Sequence, residues 1–144
     1  MESQTHGEVV NAPTRACFDA IVDFERYPDW FSGITAAEIL EADPAAGRWT
    51  VRYELNMVIK TISYTLAYEA DPPNLVRWKM IEGDLNAIEG SYTLESLEAD
   101  VTDATCTQSI DIGFWIPGPI KRTFEKTALV DSVRELKQAV EARC

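Results

Sequence analysis

The chain has 144 residues, 46% hydrophobic and 10% aromatic, which is enough for one core of ordinary size and too short for two ordinary domains. Its 13 Lys and Arg against 24 Asp and Glu give a net charge of -11, a field that repels phosphate backbones, so nucleic acid is not an expected partner. No apolar run approaches the ~20 residues a membrane-spanning helix needs, and the polar start, Met1 to Gly7, lacks the basic and apolar stretches of a secretory signal.

The cysteines, Cys17, Cys106 and Cys144, are odd in number, widely spaced and free of any C-x-x-C pair, which argues against a disulfide framework or a zinc site. A reducing, cytoplasmic location is the expectation. His6 is the only histidine and lies in the polar N-terminal segment, so no metal, no cofactor and no Ser-His-Asp triad is expected.

In chain order, Glu8 to Val10 read as the end of a first strand. Asn11-Ala12-Pro13 then offers a cap and an early proline for a helix in which Ala16, Phe18, Ile21, Val22 and Phe24 recur at helical spacing. Tyr27-Pro28-Asp29-Trp30-Phe31 restarts the chain as a second short helical turn, ended by Gly33. Period two begins at Ala37 to Glu41 and sharpens after the turn 43–47. Trp49, Val51, Tyr53 and Leu55 point one way in one strand, and Ile62, Tyr64, Leu66 and Tyr68 do so in the next. The pattern continues in Val76, Trp78 and Met80, then in Ile88, Gly90, Tyr92 and Leu94. Ala104, Cys106, Gln108, Ile110, Ile112 and Phe114 close the series. Each strand keeps one polar face, as an antiparallel meander does when its other face is covered. The cover is a helix from about Pro119 to Ala142 whose stripe is Ile120, Phe124, Leu129, Val133, Leu136 and Val140. The predicted fold is therefore α+β: one domain, 1–144, in which a curved antiparallel sheet of about seven strands wraps a long C-terminal helix, with two short helices after strand one.

This order resembles the helix-grip fold of START-like (SRPBCC) domains, the superfamily of the major birch pollen allergen. Four segments sharpen the resemblance: Ala12-Pro13, Asp23 through Trp30, Glu89-Gly90-Ser91-Tyr92-Thr93-Leu94, and Ile116 through Arg122. Together they resemble the polyketide cyclase/dehydrase family, including coenzyme Q-binding START-domain proteins, and the likeness spans nearly the whole chain. The resemblance implies lipid or quinone carriage, polyketide aromatisation or cyclisation, or a role like that of toxins acting on ribosome association. Cys106 and Gln108 depart from the large apolar residues expected on the inward face of the last strand, and they enlarge or polarise the space there.

The candidate ligand-binding set is Tyr53, Tyr64, Tyr68, Trp78, Met80, Tyr92, Gln108, Ile110, Phe114, Ile120 and Phe124. A sheet wrapped round a helix leaves room for a ligand, yet aromatics are also ordinary core. The count of tyrosine hydroxyls favours the pocket, because a buried hydroxyl without a partner costs roughly 1–3 kcal/mol. No catalytic residue is assigned. Glu82 and Glu89 are the only acid/base candidates near the interior, and Cys17 and Cys106 read as buried small hydrophobes. Trp115-Ile116-Pro117-Gly118-Pro119 reads either as a gate or as a stiff hinge. Lys121, Arg122 and Lys126 sit unfavourably near a helix N-terminus, which hints at an anionic partner or headgroup, but with Glu125 inside the run the favoured reading is a solvated helix face. The expected partner is a hydrophobic small molecule, with transient membrane contact; the favoured role is binding or transport rather than catalysis, and the alternatives are a polyketide aromatase/cyclase and a protein-interaction role.

Overall fold

The computed structural model describes residues 3–143; Met1, Glu2 and Cys144 lie outside the described residues. Strand β1 (Gln4–Val10) leads into helix α1 (Thr14–Ile21), then a 3-10 turn (Phe24–Arg26) and the single-turn helix α2 (Tyr27–Trp30). Six strands follow: β2 (Ile34–Asp43), β3 (Arg48–Asn56), β4 (Thr61–Asp71), β5 (Leu75–Gly83), β6 (Ala87–Glu98) and β7 (Val101–Asp111). Helix α3 (Gly118–Lys126) passes through a π turn (Thr127–Asp131) into helix α4 (Ser132–Arg143) with no break in helical backbone. Among the described residues no helix is long and apolar enough to cross a membrane.

All seven strands pair antiparallel in the order β1-β7-β6-β5-β4-β3-β2, so the first strand is hydrogen-bonded to the last. Register shifts interrupt β2 twice, β4 near Thr65 and β6 near Ser96. Such bulges bend a strand and increase its local twist, which lets a sheet with one apolar face curl round a helix. The apolar stripe of α3 and α4 fills that curl: Phe124, Leu129, Val133, Leu136 and Val140 are all buried. Each such side chain is worth roughly 1.5–3 kcal/mol relative to exposure.

The alternation read from the sequence matches the burial of β3 and β5, but the outer face is not uniformly wet. Thr65 is buried there between the longer Arg52 and Glu82 on the neighbouring strands, and Ser109 is buried with its hydroxyl 2.9 Å from that of Ser3. The expected Asn11 cap is not made. Pro13 occupies the cap position, and its carbonyl accepts from the Ala16 and Cys17 amides at 3.0 and 3.2 Å. The Asn11 amide instead donates to Glu141 at 2.8 Å, tying β1 to the end of α4.

That seam carries two acidic anchors. The hydrogen bond from His6, with Arg134 beside it, holds the Glu8 carboxyl below its ordinary value of 4.5. Lys137 and the Asn11 amide do the same for Glu141. A carboxyl whose folded value is depressed stabilises the fold above its unfolded value and ceases to do so as pH falls through the folded one. The thermal midpoint should therefore begin to fall once pH drops below about 4.5, and the double variant Glu8→Gln/Glu141→Gln should show a shallower fall. An identical acid limb in the variant would mean the seam contributes nothing.

Candidate functional site

The space between sheet and helix is not filled. A cavity of about 70 Å³, roomy enough to seat water molecules and partly open to solvent, lies there. Its walls come from Ile34 at the start of β2, from the inward faces of β3 to β7, from α2 with Phe31 after it, and from the π turn with the residues flanking it. Among the described residues no charged side chain lines it.

Of the residues expected at the site, Tyr53, Tyr64, Tyr68, Trp78, Tyr92, Gln108, Ile110 and Phe124 face this cavity. Met80, Phe114 and Ile120 do not; all three are half-buried and lie towards the ends of their elements. Phe114 lies beyond the end of β7, in the loop before α3, with the Lys60 ammonium 4.4 Å from its ring centre. Glu82 and Glu89 are exposed, and Glu89 pairs with Lys79 at 3.7 Å. Neither reaches the interior, and among the described residues no carboxylate lines it.

A row of three residues across three strands organises the centre. Trp78 pairs with Gly90, and Gly90 with Gln108. A Cβ on Gly90 would sit 2.6 Å from two indole carbons of Trp78 and 2.8 Å from the Thr107 carbonyl, so only glycine lets the indole lie flat across β6. Its Nε1–H then reaches the Gln108 Oε1 at 2.8 Å, and the Gln108 Nε2–H donates to the Ala128 carbonyl at 2.6 Å. That carbonyl belongs to the π turn. A π turn shifts the i→i+4 ladder and leaves main-chain oxygens for other donors; the neighbouring Leu129 carbonyl accepts from the Ser132 hydroxyl at 2.9 Å. Gln108 thus ties the sheet to the helix across the cavity, its amide satisfied at both ends.

The hydroxyls are arranged differently. Tyr27 donates to the Ile21 carbonyl at 2.6 Å and is spent. Tyr53 and Tyr68 stand 2.7 Å apart, so one hydrogen joins them and the other points to no protein acceptor. Tyr64 packs its ring 5.6 Å from that of Tyr53 and makes no hydrogen bond to protein among the described residues. The cavity therefore presents donors in excess. Burial pushes all of these phenols well above their ordinary range, so they stay protonated. Burial likewise pushes the Cys106 thiol up to about 12, which removes it as a nucleophile.

The residues matched by the family of polyketide cyclases / dehydrases and lipid transport proteins are 10–137. The chain belongs to that family. Among solved structures it is similar to the aromatase/cyclase Zhui from Streptomyces sp. R1128, at 19% identity over 99% of this chain and 94% of that one, with a TM-score of 0.84. It is also similar to a START superfamily protein from Mycobacterium smegmatis (20% identity, 98% and 95% coverage, TM-score 0.78). A third is a STAR-related lipid transfer protein from Xanthomonas axonopodis (16% identity, 96% and 85% coverage, TM-score 0.75). Likeness at these identities establishes the helix-grip fold. No curated protein matches the sequence.

Sequence reasoning passed over Phe31, Thr127, Ala128 and Ser132, which also line the cavity. Phe31 belongs to an aromatic run that was visible. The π turn also left a trace: the apolar stripe steps by four from Ile120 to Phe124, then by five from Phe124 to Leu129, one residue more than an α-helix allows on a single face.

Proposed function

We propose that this family member binds, and by binding carries, an uncharged hydrophobic small molecule between the sheet and the long helix. A cavity walled by aromatic and aliphatic side chains, without charge but with unspent phenol hydrogens, carries this reading. An apolar body is accommodated by the walls, and a carbonyl or hydroxyl oxygen on it accepts from the Tyr53–Tyr68 pair or from Tyr64. Lipids in neutral form, quinones and polyketides meet that description. A carboxylate does not, since no cation waits inside to offset its desolvation. The space now roomy enough for water is small, so a ligand must push the helix or the α2 segment outward, and the Gln108–Ala128 hydrogen bond is the contact that such a movement strains.

Protein isolated from its own host should carry an extractable lipophilic molecule in native mass spectrometry. With the neutral probe menadione, Tyr53→Phe/Tyr68→Phe should weaken binding about five- to tenfold, the worth of one hydrogen bond. A naphthalene carboxylate of similar size should bind at least about a hundredfold more weakly than menadione. An empty protein that also shows no saturable site for menadione would remove the proposal.

The second reading is a polyketide aromatase/cyclase, supported by the family's description and by the row of protonated phenols. These would polarise carbonyl oxygens of a folded chain, while the walls fix which carbons meet. Under this reading Gln108→Leu should change the product distribution from a thioester-tethered polyketide, and absence of turnover on any such substrate counts against it.

A further inference from the structure

We propose that a second, polar chamber beside the cavity holds the head of the ligand, and that this head carries a hydrogen-bond donor, a hydroxyl or an ammonium. This rests on the reading of the main cavity as the seat of an apolar body and adds the chemistry of the ligand's other end. The chamber measures about 50 Å³ and lies between the start of β1 and the helix around the π turn, lined by Gln4, Glu125 and Leu129 together with Gln108, Ile110 and Ala128. The last three also line the main cavity, so they form the wall between the two spaces. The chamber has room for about three water molecules, the bulk of a small polar head.

The seam between β1 and the long helix is closed along most of its length. Arg134 reaches Glu8 at 3.4 Å, Lys137 donates to the Val9 carbonyl at 2.8 Å, and the Asn11 amide donates to Glu141 at 2.8 Å. At the Gln4 end no hydrogen bond or ion pair joins strand to helix among the described residues. Ser3 and Thr5 turn their hydroxyls to Ser109 and Thr107 on the outer face, at 2.9 and 3.1 Å, which sends Gln4, paired with Gln108 across the strands, to the inner one. Glu125 approaches from the helix and is half-buried; among the described residues neither its carboxylate nor the Gln4 amide has a hydrogen-bond or ion-pair partner in the protein. Lys121, one turn earlier, does not pair with Glu125, and Lys126 is taken by Asp131 at 3.2 Å.

Acceptors therefore predominate in this chamber, where donors predominate in the main cavity. A half-buried carboxylate has given up part of its water, and an N–H or O–H arriving with a ligand replaces it with a charge-assisted hydrogen bond, stronger than a neutral one. Swinging the Gln108 amide off the Ala128 carbonyl joins the two spaces and frees that carbonyl as a further acceptor. The ligand that fits both spaces has an apolar body with an acceptor oxygen at the phenol end and a donor at the other.

The test is calorimetric titration of the full chain with two pairs of probes that share an octyl tail, octylamine against octyltrimethylammonium and octanol against methyl octyl ether, with menadione as the control. Octylamine should bind about tenfold more tightly than octyltrimethylammonium, the worth of a charge-assisted hydrogen bond, and octanol should exceed its ether by a smaller factor. Glu125→Ala should erase the advantage of the donor and Gln4→Ala should reduce it. Both variants should keep the menadione affinity and the thermal midpoint of wild type, since neither side chain has a partner to lose. A preference confined to one pair supports the chamber and says which donor it takes. Menadione binding with no preference in either pair, or a preference that survives Glu125→Ala, would overturn the role of the chamber and leave the cavity reading standing. Failure of menadione and of every octyl probe to bind would remove both.

Discussion

Gly90→Ala is expected to lose at least about tenfold in affinity for menadione and about 1–3 kcal/mol of stability, the usual cost of forcing extra volume into a packed interior. The added methyl would need the space now held by the Trp78 indole, with the Thr107 carbonyl closing the other side. Because that carbonyl is fixed in the sheet, the indole must move, either along the strand or into the cavity. Either movement breaks its hydrogen bond to Gln108 and with it the tie to Ala128. Adding Trp78→Phe, whose smaller ring makes room for the methyl, should recover much of the stability without the hydrogen bond. Fluorescence titration and chemical denaturation read both effects, and a Gly90→Ala protein indistinguishable from wild type would show that the row across β5, β6 and β7 has slack the geometry denies.

The largest loss of stability should follow Phe24→Ala, at about 3–5 kcal/mol, which for a domain of this length lowers the thermal midpoint by roughly 10–17 °C. Phe24 is fully buried, and its ring lies 4.4 Å from Tyr68, 5.6 Å from Trp49 and 5.8 Å from Tyr27, centre to centre. It holds the turn between α1 and α2 against the inner face of β3 and β4, and α2 in turn supplies Tyr27 and Phe31 to the cavity wall. Phe24→Leu, which keeps most of the volume, should cost much less. A small loss on truncation to alanine would mean that the short helices are not pinned to the sheet through this ring.

The fold was legible because a meander with one wet face and a helix with one apolar stripe each write a period into the sequence, two and about 3.6. Tyr53, Tyr68, Trp78 and Gln108 could be placed on an inner wall by that alternation alone. What alternation does not give is where along its element a residue meets the cavity, and so Met80, Phe114 and Ile120 share the apolar phase with the cavity residues yet do not line it. The capping reading of Asn11 failed because the helix begins two residues later than a cap there requires: Pro13 holds the cap position, and the Asn11 main-chain amide donates to the distant Glu141 carboxylate. The link from Trp78 through Gln108 to Ala128 was also beyond local pattern. It needs three strands in register, a glycine that carries no Cβ, and a π turn that frees a carbonyl, and only the assembled structure brings these together.

The most direct measurement is a heteronuclear NMR titration of the protein with menadione, following backbone amides and the Trp78 indole N–H. Saturable shifts gathered on Tyr53, Tyr68, Trp78, Gln108 and the turn 127–131, and absent with the matched carboxylate, are the expected result. Shifts that never saturate, or that scatter over exposed strands while the indole N–H of Trp78 stays still, would contradict a neutral, ligand-accepting interior.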